Sequence, residues 1–434
     1  MVLPTSFLRA PDAAEFDVKH KPLTRPSCSF ENQVHDSVAP ENQIFEKQYA
    51  SNYFVRLQML KQATTEAARS KWSDIPVLES ISKYRSYPQN SPVGIVGTLF
   101  KDMRLKPNVL EELQRHSRIL DQHMVPSASE EISRLCSGSD NLFIEDSESR
   151  IAVVVGDNRN LIDRVVTGLI VALRGRVGEG GVFEASEICF PGREGGWISP
   201  VPPRPPCRVL FVSGLNVGHP QSCPLGLELL KQFVISGNLS RVIIAGDSLT
   251  NSSGLSVADA FLAEISSTVP VDLIPGPNDP TNFALPQQPL HSAFFPLSKK
   301  FRNFQALSNP YDCKLEGVRV LGSSGQGVAD VLQYSSVENS IDALTLCLEA
   351  RHLAPTAPDT LACYPVSDID PLVIQGDVHV FFSGNHKDLG VKVLQDERGV
   401  SLCVALPAFS VTGQAVIVDL NNLVDFRIAN FLVT

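Results

Sequence analysis

The chain has 434 residues, 43% of them hydrophobic and 19% charged, with a formal net charge of −10. That length suits about two or three domains, and that composition excludes a wholly disordered chain. The acidic balance argues against affinity built on phosphate contacts, which take lysine and arginine.

Residues 1–40 mix Pro, Ser, Asp and Lys without periodicity and read as a mobile tail. Asp12, Glu15 and Asp17 interrupt them early, so no secretory signal is expected there, and no apolar run is long enough to span a bilayer. The nine scattered cysteines form no CxxC pair. They argue against a disulfide framework or zinc ribbon and for a reducing compartment, cytosol or nucleus.

Residues 41–90 read as a helical segment. Tyr49, Tyr53, Leu57 and Leu60 recur at helical spacing in "FEKQYASNYFVRLQML" and predict a core-facing stripe. Residues 91–200 read as all-β. "SPVGIVGTLF", "NLFIEDSESRIAVVVG", "VVTGLIVALRGRV" and "GVFEASEICF" give about five strands, with a polar turn at Asp146 to Ser149. Five strands at this size suit a small barrel of the OB-fold kind. Its strands carry few aromatics and little clustered positive charge, so packing or protein contact is favoured over single-strand binding.

"PVPPRPPC", Pro200 to Cys207, holds five prolines and marks a stiff connector. Residues 201–434 then alternate buried strands with helices: "RVLFVSG", "LGLELLKQFVISG", "RVIIAGDSL", "VADAFLAEISST" and "VDLIPGPND". That pattern indicates a parallel sheet covered on both faces. Past Asp377 the chain is mostly strand, which suggests two sheets.

Ligands of open α/β sheets sit at the carboxyl ends of strands, where "FVSGLNVG", "IIAGDSLT", "LIPGPNDPTN" and "VFFSGNHKD" end in polar loops. This order resembles the calcineurin-like metallophosphoesterases, which the resemblance implies would bring D-x-H, G-D, G-N-H-D and G-H-x-H to two divalent metals. Here Ser213 and Leu215 stand at the first motif. Asp247 keeps the bridging position. Pro277 and Asn278 replace the metal-binding Asn and the acid His, while Asp279 is kept. His352 stands where a ligand would sit. Asn385 and Lys387 stand where imidazoles belong. Ser213, Leu215, Asp247, Pro277, Asn278, Asp279, His352, Asn385 and Lys387 therefore read as a vestigial pocket, with no catalytic residue, metal or cofactor expected.

Three further matches are weaker. "GNH", Gly384 to His386, reads as a solvated loop. "GDSL", Gly246 to Leu249, offers Ser248 as a nucleophile, but His379 and His386 have no Asp three residues before them, so a capping role for Ser248 is expected. "GSSGQG", Gly322 to Gly327, lacks the P-loop lysine and reads as a tight turn.

The chain is α/β with an all-β module: an N-terminal helix and an OB-fold barrel, then a two-sheet α/β sandwich of the phosphoesterase kind. It resembles the B-family, or small, subunits of eukaryotic replicative DNA polymerases, and among them those of the delta enzyme. "LFIEDSESRI", "LFVSGLNVG", "VIIAGDSL", "SNPY", "LGSSGQGVADV" and "RHLAPTAPDTLACYP" carry the resemblance from about residue 42 to the end. It implies a non-catalytic nuclear scaffold. Such a subunit holds the C-terminal cysteine-rich module of the catalytic polymerase chain and the N-terminal domain of a third subunit. The resemblance also implies a place in polymerase zeta, with DNA met only indirectly and no membrane. Two other functions stay open: an active metal-dependent phosphodiesterase or exonuclease, and a single-strand-binding OB protein.

Overall fold

The computed structural model describes residues 25, 27–34, 48–88, 90–106, 134–156, 159–196, 206–219, 222–249 and 254–432. Most of the connector at 200–207 lies outside them. Among the described residues no helix is long and apolar enough to cross a membrane.

The first helix spans Ala50–Lys71, and its sequence holds no Gly or Pro and many good helix formers. Arg69 and Lys71 lie in its last turn, where positive charge suits the helix dipole. Leu57 and Leu60 are buried against Ile170 and Val373, and Ala68 and Trp72 against Val96 and Ala172. Tyr49 precedes the helix and is 55% exposed, so the core-facing stripe starts later than its spacing suggested.

Five strands close a barrel: β2 (Pro92–Asp102), β3 (Asn141–Glu145), β4 (Arg150–Val155), β5 (Ile170–Val177) and β6 (Phe183–Cys189), in the order β2-β3-β4-β6-β5. The β3–β4 turn is built by Asp146, whose Oδ1 accepts from the amides of Glu148 and Ser149, both at 2.9 Å. Ile95, Leu99, Ile144, Val153, Leu173 and Phe183 lie in its core. The expected strand from Val165 begins only at Ile170, after the left-handed Gly168.

Two six-stranded sheets follow. One has the order β10-β9-β8-β7-β16-β17, with β7 (Arg208–Val212), β8 (Arg241–Ala245), β9 (Val271–Ile274) and β10 (Phe304–Ala306) parallel. The hairpin β16 (Gln414–Asp419) and β17 (Asn422–Asn430) completes it. The other has the order β1-β11-β12-β13-β15-β14. Its strands are β1 (Phe30–Asn32), β11 (Tyr311–Leu315), β12 (Val318–Ser323), β13 (Val380–His386), β14 (Gly390–Asp396) and β15 (Gly399–Pro407).

One apolar core joins the two sheets through Phe211, Ile243, Val320, Phe382 and Val404, with the Phe211 and Phe382 rings 5.5 Å apart. Strands buried on both faces are why these runs are continuously apolar. The helices Pro224–Ser236 and Leu255–Ser266 cover the outer face of the first sheet. Gln326–Tyr334 and Ser340–Glu349 cover the second, and their core continues without a break into that of the barrel.

The N-terminus corrects one expectation. Within the predicted mobile tail, Phe30–Asn32 form an edge strand antiparallel to β11. Among the contacts that hold this segment, the Arg241 guanidinium lies 4.6 Å over the Phe30 ring, and Arg25 donates to the end of the helix Pro224–Ser236 at Val234 and Gly237. The rest of the expected tail lies outside the described residues.

Candidate functional site

The loops after β7, β8, β9, β12 and β13 meet at one end of the two sheets. Their approach is close. A Cβ on Gly246 (φ +81°) would stand 2.4 Å from Ser324 Cβ and 2.8 Å from Gly276 Cα. Asp247 and Asn385 also take left-handed backbone, φ 51° and 60°.

Every carboxylate oxygen of the two acid groups there accepts from a protein donor. Asp247 Oδ1 accepts from the Asn278 amide and Oδ2 from the Asn278 side chain, both at 3.0 Å. Asp279 accepts three backbone amides, from Gly276 at 2.7 Å, Leu249 at 2.8 Å and Ser248 at 3.0 Å. Burial pushes Asp247 up to about 6, against the Asn278 hydrogen bonds. Burial and then the charge of Asp247 push Asp279 up to about 7. Two carboxylates without a nearby cation resist ionising together.

The other predicted residues divide. Ser213 is buried, donates from Oγ to Pro407 O at 3.0 Å and accepts from the Asn385 amide at 3.0 Å. Asn385 donates from Nδ2 to Ser324 O at 2.9 Å and Ala245 O at 3.2 Å, tying the loops together. Leu215 points away into the helix-side core with Leu227 and Phe409. Pro277 is exposed. Lys387, expected in the pocket, is exposed too, in the bend just past the end of β13.

The "GNH" stretch is not a solvated loop. It ends a central strand, and His386 is buried with Nε2 2.8 Å from Ser383 Oγ. Burial pushes His386 down to about 4. Ser248 caps nothing: its buried Oγ has no hydrogen-bond partner among the described residues, and Gly254 stands at the start of the next helix. In "GSSGQG" only Gly325 is left-handed, ahead of the helix Gln326–Tyr334.

His352 belongs to a different constellation. Its Nδ1 accepts from the Ala354 amide at 3.1 Å and its Nε2 lies 3.1 Å from Asp370 Oδ2, so both ring nitrogens are used. The same Asp370 oxygen receives Nε and Nη2 of the buried Arg56, each at 3.2 Å. Arg56 also donates to Pro355 O at 2.7 Å and Ala357 O at 2.9 Å. Burial and then the Arg56 charge push His352 down to about 4, so the imidazole is neutral. Burial opposes ionisation of Asp370, but the hydrogen bond from His352 and the charge of Arg56 hold it well below the usual carboxylate range.

Comparison with known proteins fits this architecture. A family described as "DNA polymerase delta subunit OB-fold domain" matches residues 48–188, the first helix and the barrel. The family of the B subunits of DNA polymerases alpha and epsilon matches residues 209–390. The "DNA polymerase delta small subunit" of Arabidopsis thaliana is 32% identical over 87% of this chain and 90% of its own. The chain belongs to the DNA polymerase delta small-subunit family. The "DNA polymerase delta subunit 2" of Drosophila melanogaster is 30% identical over 90% of this chain and 94% of its own. The Saccharomyces cerevisiae small subunit is 28% identical over 87% and 88%. The protein is thus an accessory, non-catalytic subunit of a polymerase complex that serves DNA replication.

Among the described residues of this small subunit, no three His, Cys, Asp or Glu side chains group as a metal site. Reading the sequence missed a neutral amide network beside the loops. Asn309 Nδ2 reaches Gln287 Oε1 at 2.8 Å and Ser324 Oγ at 2.7 Å, and Gln287 Nε2 reaches Gly276 O at 3.1 Å. It also missed Arg56 and Asp370. A lone arginine among the apolar positions of the first helix was the available signal, since arginine is seldom fully buried unless paired.

Proposed function

We propose that this small subunit is a nuclear scaffold that bridges the C-terminal cysteine-rich module of the catalytic polymerase chain to a third subunit. The same reading gives it a role in polymerase zeta and leaves DNA to its partners. It divides the chain into a tail (1–40), a helical segment (41–90), an OB-fold (91–200) and an inactive two-sheet domain of the calcineurin-like phosphoesterase kind (201–434). Broad rigid faces suit such a role, since stable complexes bury about 800 Å² per partner.

The observation that carries this reading is the state of Asp247, whose two oxygens are both taken by Asn278. Nearby, Ser213, Leu215, Pro277 and Asn385 offer no imidazole or carboxylate. Two carboxylates do not suit a dinuclear centre, in which each divalent ion needs several such ligands. No hydrolytic step is assigned to the cleft.

The test is to purify the tagged full-length chain from cells, identify the polymerase chains that accompany it, and repeat with Asp247→Ala. The catalytic chain and a third subunit are expected with both forms. A complex that assembles normally but loses a metal-dependent phosphodiester hydrolysis in the variant overturns the reading.

A further inference from the structure

Residues 297–302 read Leu-Ser-Lys-Lys-Phe-Arg, with three cations among the last four, on a chain whose net charge is −10. Lys299, Lys300 and Arg302 are exposed, and among the described residues none of their side chains is in an ion pair or a hydrogen bond. The apolar side chains between and beside them are exposed as well, Leu297 by 44% and Phe301 by 36%.

The fold pins this stretch from beneath. Asp259, buried in the helix Leu255–Ser266, accepts at Oδ2 from the Leu297 amide and at Oδ1 from the Ser298 amide, both at 2.8 Å. The Ser298 hydroxyl donates to the same carboxylate at 2.6 Å. Phe295 is fully buried, and its ring lies 5.0 Å from that of Phe304 in β10. The short turn Ser298–Lys300 is thus fixed before any partner arrives, and the stretch leads directly into β10, the outer strand of the first sheet. A surface ordered in advance spends little conformational entropy on binding.

The pattern of side chains selects a chemistry. Nucleic-acid affinity rests on many cations, and an acidic chain repels so long a polyanion. Exposed apolar side chains rimmed by charge suit protein contact instead, where aromatic residues and arginine are enriched. Three unpaired cations call for carboxylates, and Leu297 and Phe301 call for an apolar side chain beside them.

We propose that Leu297, Lys299, Lys300, Phe301 and Arg302 form a docking surface for an acidic segment of another chain of the polymerase complex. Carboxylates of that segment meet the three cations, and an apolar side chain of it covers Leu297 and Phe301. The proposal rests on membership of that complex, not on the bridging roles proposed above.

The experiment uses the complex purified with the tagged full-length chain. A carbodiimide joins a lysine amine to a carboxylate in direct contact, and the joined peptides are read by mass spectrometry. An amide between Lys299 or Lys300 and an Asp or Glu of another chain is expected, and high salt should deplete it. The combined variant Lys299→Glu, Lys300→Glu, Arg302→Glu, all at exposed positions, should release that chain roughly tenfold faster. Leu297→Ala with Phe301→Ala should release it severalfold faster. Cross-links to partner chains from other exposed lysines, with none from Lys299 or Lys300, overturn the proposal. A wild-type release rate in the charge-reversed variant does the same. Protection of both lysines from acetylation by an added single-stranded oligonucleotide, without a cross-link to protein, assigns the patch to nucleic acid and also overturns it. If no polymerase chain accompanies the tagged protein, the complex itself is in error and this proposal falls with it.

Discussion

Two of the buried aspartate sites among the described residues are treated in opposite ways. At the strand ends, Asp247 and Asp279 meet only neutral donors, and both are pushed up, to about 6 and about 7. At the clamp between the first helix and the segment around 352–372, Asp370 meets His352 and the Arg56 guanidinium, which hold it down against burial. Burial opposes ionisation in both places. At Asp370 the interactions with His352 and Arg56 outweigh that penalty, whereas the dipoles around Asp247 and Asp279 do not. The strand-end cleft of this chain keeps its acids without a paired cation, whereas the clamp has one built in.

Breaking the clamp should have the largest effect. Arg56→Ala strands Asp370 and the carbonyls of Pro355 and Ala357, and should cost about 3–5 kcal/mol in urea or thermal unfolding. A loss below about 1 kcal/mol would mean the clamp contributes little. Gly246→Ala comes next. It places a methyl against Ser324 in a left-handed backbone and should cost about 1–3 kcal/mol, read as a lower Tm.

The two regions should also answer pH with opposite signs. Unfolded aspartate titrates near 4, and Asp247 in the folded chain near 6, so the folded state binds the extra proton between them. Its contribution to stability therefore falls as pH rises from about 4 to about 6. Asp247→Asn should remove that loss and gain about 1–2 kcal/mol on wild type between pH 5 and 8, measured by denaturation at each pH. His352 runs the other way. The unfolded imidazole takes a proton near 6.5, which the folded clamp refuses until about 4, so stability falls as pH drops through that window. His352→Gln should flatten the acid limb by about 1–2 kcal/mol between pH 7 and 5, at the expense of one buried hydrogen bond. Parallel profiles for wild type and variant would contradict the assigned protonation.

The smallest effect belongs to Lys387→Ala. The side chain is exposed, so stability should change by less than about 0.5 kcal/mol. A larger change would show that the lysine reaches back toward the cleft.

Much of this was legible along the chain. The run from Arg241 to Ala245 is a central strand, as its continuous apolar character requires, and it delivers Asp247 to its carboxyl end. The Asp146 turn and the helix at Pro224–Ser236 follow from local chemistry, side chain to backbone in one case and spacing in the other. Three misreadings share a cause. Phe30–Asn32 pairs with a strand more than 280 residues away, and no local pattern in three residues announces that. His352 sits near the expected place in sequence, but Asp370 and Arg56 claim it from two other segments. Lys387 was placed in the pocket by matching "SGNHKD" to a metal-binding motif, but it lies exposed just past the end of β13.

Sequence by itself determined most of the strands and helices and which ligand types are missing at the strand ends, because both are largely properties of adjacent residues. Tertiary structure alone decided what each buried charge does. The free energy of a carboxylate depends on the nearest cation and donors in space, and for Asp247, Asp279 and Asp370 those come from elsewhere in the chain.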